Sequence, residues 1–148
     1  MRQAPKGTPR ALRCYTCGVD VPQHLVEPIR RVATTCPELR AIYVFGSQAV
    51  GGARPDSDLD LGVLYRTAQA LTTTLGLEQD FEHATGRKID LIDLGRASAF
   101  LALDIVRGER VFCRDATETD RFELYVLRRA GDLLPFERQR QALLLASP

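Results

Sequence analysis

Asp58 and Asp60 sit in the frame Ser57-Asp58-Leu59-Asp60-Leu61, and Asp90 sits in a second apolar frame, Lys88-Ile89-Asp90-Leu91-Ile92. Side chains alternate along a strand, so two Asp at i and i+2 point to one face. Carboxylates held that close repel and raise each other's pKa unless a cation lies between them. A third carboxylate from a neighbouring strand would complete an oxygen cage of the kind Mg²⁺ prefers. The pair follows Gly46-Ser47, which ends the apolar run Ala41–Phe45. A glycine there lets the backbone approach a phosphate, and a serine at a helix N-terminus offers an anion both its hydroxyl and its N–H. The chemistry these residues suit is a two-metal displacement at a triphosphate. Asp58 and Asp60 would hold the metal, and Asp90 would be a further ligand or the general base.

Each of these residues also has a plainer reading. Asp56-Ser57-Asp58 favours a turn, and Gly46-Ser47 could be a strand-to-helix junction with a serine cap. A turn does not account for Asp60 inside an apolar strand. Asp93 competes with Asp90 for the third position. The two are an odd number of residues apart, so they face opposite sides of one strand and cannot both line one site. His24, His83, Arg54 and the Arg128-Arg129 pair read as solvated surface residues.

The elements that must carry these residues follow from periodicity. Leu25, Val26, Ile29, Val32 and Ala33 recur as the stripe of an amphipathic helix over Pro22 to Thr35, closed by Cys36-Pro37. Ala41–Phe45 and Leu59–Tyr65 read as strands, separated by a short helix over Ser47–Val50 and a Gly-Gly-Ala-Arg-Pro loop. A helical pattern over 67–84 uses Leu71, Leu75, Leu77 and Phe81. A third strand spans Lys88–Leu94, and a helix spans Arg96–Arg107 with Gly108 as its cap. A brief fourth strand, Arg110–Cys113, leads into a long helical segment from Thr117 to about Ala146. Phe122, Tyr125, Val126, Leu133 and Leu134 are its expected apolar contacts, and Pro135 is expected to kink or break it.

At 148 residues, with 45% hydrophobic and 26% charged residues, the chain is expected to form one soluble domain. Residues 1–20 lack periodicity and read as a flexible extension, leaving 21–148 as the domain. A net charge of +1 favours neither nucleic acid nor a membrane surface as partner. No apolar run approaches the roughly 20 residues of a membrane span, and no secretory signal is visible, so a cytoplasmic location is expected. Cys14-Tyr15-Thr16-Cys17 has the spacing of a zinc half-site or a redox pair. A second such pair is missing, with Cys36 and His24 the nearest further candidates, so reduced thiols are the reading.

Val44-Phe45-Gly46-Ser47, ten residues, then Asp58-Leu59-Asp60 resembles the Gly-Ser-x10-Asp-x-Asp signature of the DNA polymerase β-like nucleotidyltransferase superfamily. The resemblance is closest to its minimal (MNT-domain) members and runs from about residue 22 to the C-terminus. Lys88–Leu94 is similar to the strand that carries the family's third carboxylate, which favours Asp90 and leaves Asp93 as a solvent-exposed strand-end residue. Gln48 departs from the basic residue many relatives carry there. The resemblance implies an α/β (α+β) fold, a small mixed β-sheet flanked by helices with a helical C-terminus. It also implies Mg²⁺ dependence, with Asp58, Asp60 and Asp90 as metal-binding and catalytic residues and Gly46 and Ser47 as the phosphate-binding pair. The implied activity is transfer of AMP from ATP to a tyrosine of a cognate HEPN-type RNase toxin, with the chain as antitoxin. Two alternatives remain: a binding module that neutralises the toxin by contact, and a nucleotidyltransferase for a small molecule such as an aminoglycoside.

Overall fold

The computed structural model describes residues 21–46 and 56–146. Ser47, Gln48, the expected helix over Ser47–Val50, Arg54, and residues 1–20 with Cys14 and Cys17 lie outside the described residues. The element order is α1 (Gln23–Thr35), β1 (Leu39–Phe45), β2 (Leu59–Tyr65), α2 (Leu71–Thr85), β3 (Ile89–Asp93), α3 (Ala99–Val106), β4 (Glu109–Cys113) and α4 (Ala116–Leu145). The strands form one four-stranded sheet in the order β3-β2-β1-β4. β1 runs antiparallel to both β2 and β4, and β2 runs parallel to β3. The expected small mixed sheet flanked by helices is what forms.

Strand alternation sorts the core into two layers. Ile42, Val44, Leu59, Leu61, Val63, Ile89 and Leu91 point to one face, where they meet Leu25, Val26 and Ile29 of α1 and Leu77 and Phe81 of α2. Ala41, Tyr43, Phe45 and Leu64 point to the other face and meet Ala102, Ile105 and Val106 of α3 and Val126 of α4. Covering both faces explains why β1 and β2 are nearly continuous apolar runs rather than clean alternations. Two glycines belong to this packing. A Cβ at Gly62 would collide with Ile105 of α3, and one at Gly108 would collide with the Val44 carbonyl. Gly108 therefore serves close approach. The α3 cap position is Arg107, in right-handed helical conformation.

Three expectations about side chains and breaks are corrected. α4 is one helix of 30 residues with Pro135 inside it. Residues around the proline are exposed, so water can satisfy the carbonyl one turn earlier that loses its partner. Of the apolar residues expected to bury from α4, Val126 does so. Tyr125 is 55% exposed because it lies on the side of the helix turned away from Val126 and Ala130. Leu133 and Leu134 are 38% and 40% exposed because they lie in the C-terminal half, where none of the described residues is buried. On α2, Leu77 and Phe81 are buried while Leu71 and Leu75 are exposed, and Thr74 takes an inward position.

Candidate active site

β1 ends where β2 begins, because the two are antiparallel neighbours, and β3 begins beside β2 because those two are parallel. This topology brings the end of one strand and the starts of two others to one edge of the sheet. The register pairs Phe45 with Asp60 across β1 and β2, and Asp60 with Asp90 across β2 and β3. Parallel neighbours in register present side chains to the same face, so Asp60 and Asp90 lie side by side on the α3/α4 face. Asp93 pairs with Val63, three residues further along and on the opposite parity.

Asp93 has its own partners. Its carboxylate accepts the Gly95 N–H at 2.9 Å and lies 3.6 Å from Arg96 Nε, with the side chain only 10% exposed. It closes the turn after β3 and is not the solvent-exposed residue expected. Short polar side chains that bond the backbone two residues on favour such turns.

Gly46 follows β1 with a φ of 72°, a left-handed conformation that glycine alone adopts cheaply. A Cβ built there would run into Asp60 Oδ2. The glycine thus supplies both the turn and the space that the Asp60 carboxylate occupies. Asp60 is half-buried, while Asp58 and Asp90 are exposed, so the carboxylates grade from the sheet's interior to solvent. The Asp60 carboxyl is held above the usual carboxylate range, first by burial, then by the charges of Asp90 and Asp58. Like charges gathered around a desolvated carboxyl are unfavourable until a cation joins them.

Among the described residues, no group of three or more His, Cys, Asp or Glu is set to hold a metal ion by itself. A site for Mg²⁺ does not require one, since this ion is commonly held by one or two carboxylates together with substrate phosphates. Hard oxygen donors, the mutual repulsion around Asp60 and the cleared space at Gly46 fit that mode.

Two residues not singled out from the sequence also reach this edge. The Arg87 guanidinium donates to the Ser57 carbonyl, and Lys88 Nζ lies 3.9 Å from Asp58 Oδ2. The available signal was their position immediately before the Asp90 strand.

Fold and site together define a small nucleotidyltransferase. Residues 27–117 match the family described as polymerase β, nucleotidyltransferase, and the chain belongs to it. It is similar to the protein adenylyltransferase MntA of Shewanella oneidensis, 28% identical over 117 residues, covering 78% of this chain and 81% of that protein. Among solved structures, a toxin–antitoxin crystallised with AMP-PNP superposes with a TM-score of 0.68 at 25% identity, over 80% of this chain and 94% of its own. A tri-AMPylated Shewanella oneidensis HEPN toxin in complex with MNT antitoxin shares the fold, with a TM-score of 0.65 at 23% identity over 82% of this chain and 94% of its own.

Proposed function

We propose that the chain transfers AMP from ATP, with Mg²⁺, to a tyrosine of a cognate HEPN-type RNase toxin, and so acts as the antitoxin. The observation that carries the reading is Asp60, half-buried beside Gly46 and flanked in register by Asp90. The names of the similar proteins support the protein acceptor. Asp58 and Asp60 hold the metal, and Gly46-Ser47 receives the phosphates. Bound Mg²⁺ supplies charge neutralisation for the triphosphate and the departing pyrophosphate. The acceptor hydroxyl oxygen forms a bond to the α-phosphorus as the bond to pyrophosphate breaks. Asp90, standing at the same edge, takes the hydroxyl proton as general base or completes the metal's ligands.

Among the described residues no helix is long and apolar enough to cross a membrane. Purified chain with labelled ATP, Mg²⁺ and the neighbouring gene's product should label that product. Equal labelling by wild type and an Asp58→Ala/Asp60→Ala variant, or no labelling by either, would sink the proposal. Neutralisation of the toxin by the double variant at a one-to-one ratio would assign the chain to contact inhibition instead.

A further inference from the structure

Three contacts tie residues 57–59 to the turn that leads into β3. Arg87 donates to the Ser57 carbonyl, the Leu59 N–H donates to the Lys88 carbonyl at 2.9 Å, and Lys88 Nζ stands 3.9 Å from Asp58 Oδ2. Asp58 and the residues on either side of it are therefore each tied to one of two consecutive residues, Arg87 and Lys88. The tethers differ in kind. Arg87 is half-buried and bonds a backbone carbonyl, so it sets where the Asp58 backbone lies. The Lys88–Asp58 approach is loose, with side chains 76% and 55% exposed, and solvent screens it. An ammonium beside a prospective ligand carboxylate competes with a metal ion for the same oxygens. Once displaced, it stays on a flexible four-carbon stem at the edge where nucleotide phosphates arrive.

We infer that Arg87 is a positioning residue for Asp58 and that Lys88 is an exchangeable cation. Lys88 balances Asp58 in the metal-free protein, yields to the metal ion, and then meets the phosphates of the nucleotide. The inference rests on the proposed reading of Asp58 as a metal ligand. It goes beyond that reading in giving two further residues a part in loading the site. A purely structural Lys88 would weaken metal and nucleotide binding together when removed. An exchangeable cation strengthens the first and weakens the second.

The test uses the full chain titrated with Mn²⁺ alone, the bound ion being followed by water-proton relaxation. Lys88→Gln should bind Mn²⁺ roughly three- to tenfold more tightly than wild type, the effect of removing a unit charge about 4 Å away in a well-solvated setting. Lys88→Arg should restore the wild-type value, and Arg87→Ala should weaken binding. With Mn²⁺ saturating, a non-hydrolysable ATP analogue should bind Lys88→Gln several-fold more weakly. Either titration of Lys88→Gln matching wild type overturns the inference, and this solvent-facing substitution tests it even if Arg87→Ala does not fold. Asp58→Ala separates the two levels. If it binds Mn²⁺ as wild type does, the metal reading of the site fails. If it loses the ion while Lys88→Gln is unchanged, only the exchangeable cation fails.

Discussion

Two groups of charged and polar side chains share one face of the same sheet, and they are built on opposite terms. Between β1, β4 and α4, the Tyr43 hydroxyl donates to Glu123 Oε1 at 2.7 Å. Arg110 Nη1 reaches the same oxygen at 3.1 Å and Asp120 Oδ1 at 2.7 Å. Burial, then the Glu123 hydrogen bond, push the Tyr43 hydroxyl well above its ordinary range, so it stays protonated as a donor. Opposite Phe45, two residues further along β1, Asp60 of β2 has Asp90 and Asp58 as its charged neighbours, and Lys88 stands a loose 3.9 Å from Asp58. The first group gives each of its carboxylates a bonded partner in Arg110 and holds a helix to the sheet. The second keeps excess negative charge around a partly desolvated carboxyl, a condition that a bound cation relieves. Similar residue types thus give an architectural joint in one place and the proposed binding site in the other, and the difference is whether every carboxylate already has a close cation.

This contrast can be broken by substitution. The largest effect is expected for Asp60→Ala, which should cut AMP transfer about a thousandfold, as loss of a main transition-state charge stabiliser does, without lowering the melting temperature. Transfer of label alongside thermal unfolding checks both halves, and a variant that melts early would place Asp60 with the architectural group. Glu123→Ala should do the reverse. It leaves Arg110 and Tyr43 without their shared acceptor and should cost about 3 kcal/mol of stability, measured by urea unfolding, while transfer per folded molecule is kept.

Gly46→Ala joins the two regions. Forcing a Cβ into the left-handed conformation costs about 1–2 kcal/mol, and the added atom also meets the Asp60 carboxylate, so stability and transfer should fall together. The smallest effect concerns pH. A raised folded-state pKa means that Asp60's contribution to stability is full below the unfolded carboxylate pKa and is lost as pH rises through the folded value. Asp60→Asn avoids that loss. In metal-free protein it should melt roughly 2 °C above wild type near neutral pH, with the gap closing in acid and shrinking in wild type's favour when Mg²⁺ is added. A gap independent of pH would contradict the electrostatic account of the edge.

Much of this was legible from local pattern. The range Leu59–Tyr65 for β2 is the one observed, and the helices form where the apolar stripes predict them, because each depends on short-range periodicity and on a face that must be buried. Asp93 was misread because an Asx turn that buries a carboxylate leaves no mark that distinguishes it from an exposed strand end. Tyr125, Leu133 and Leu134 were misread because apolar spacing alone does not say which side of a helix is covered or how far along its length the cover extends. The break expected at Pro135 does not occur, and the exposed surroundings let water satisfy the carbonyl that the proline leaves without a partner.

The sequence by itself determined that Asp60 stands inside an apolar strand, that Asp90 and Asp93 face opposite sides of theirs, and that a glycine stands at the end of β1. Those follow from strand parity and residue type, which are local. Only the tertiary structure decided that β3 lies parallel beside β2 in the register that sets Asp90 against Asp60. Only it placed Gly46 against the Asp60 carboxylate and Lys88 beside Asp58. Register and strand order come from packing between residues distant in the chain, and a slip of one residue would have turned Asp90 to the far face and left Asp60 without its neighbour.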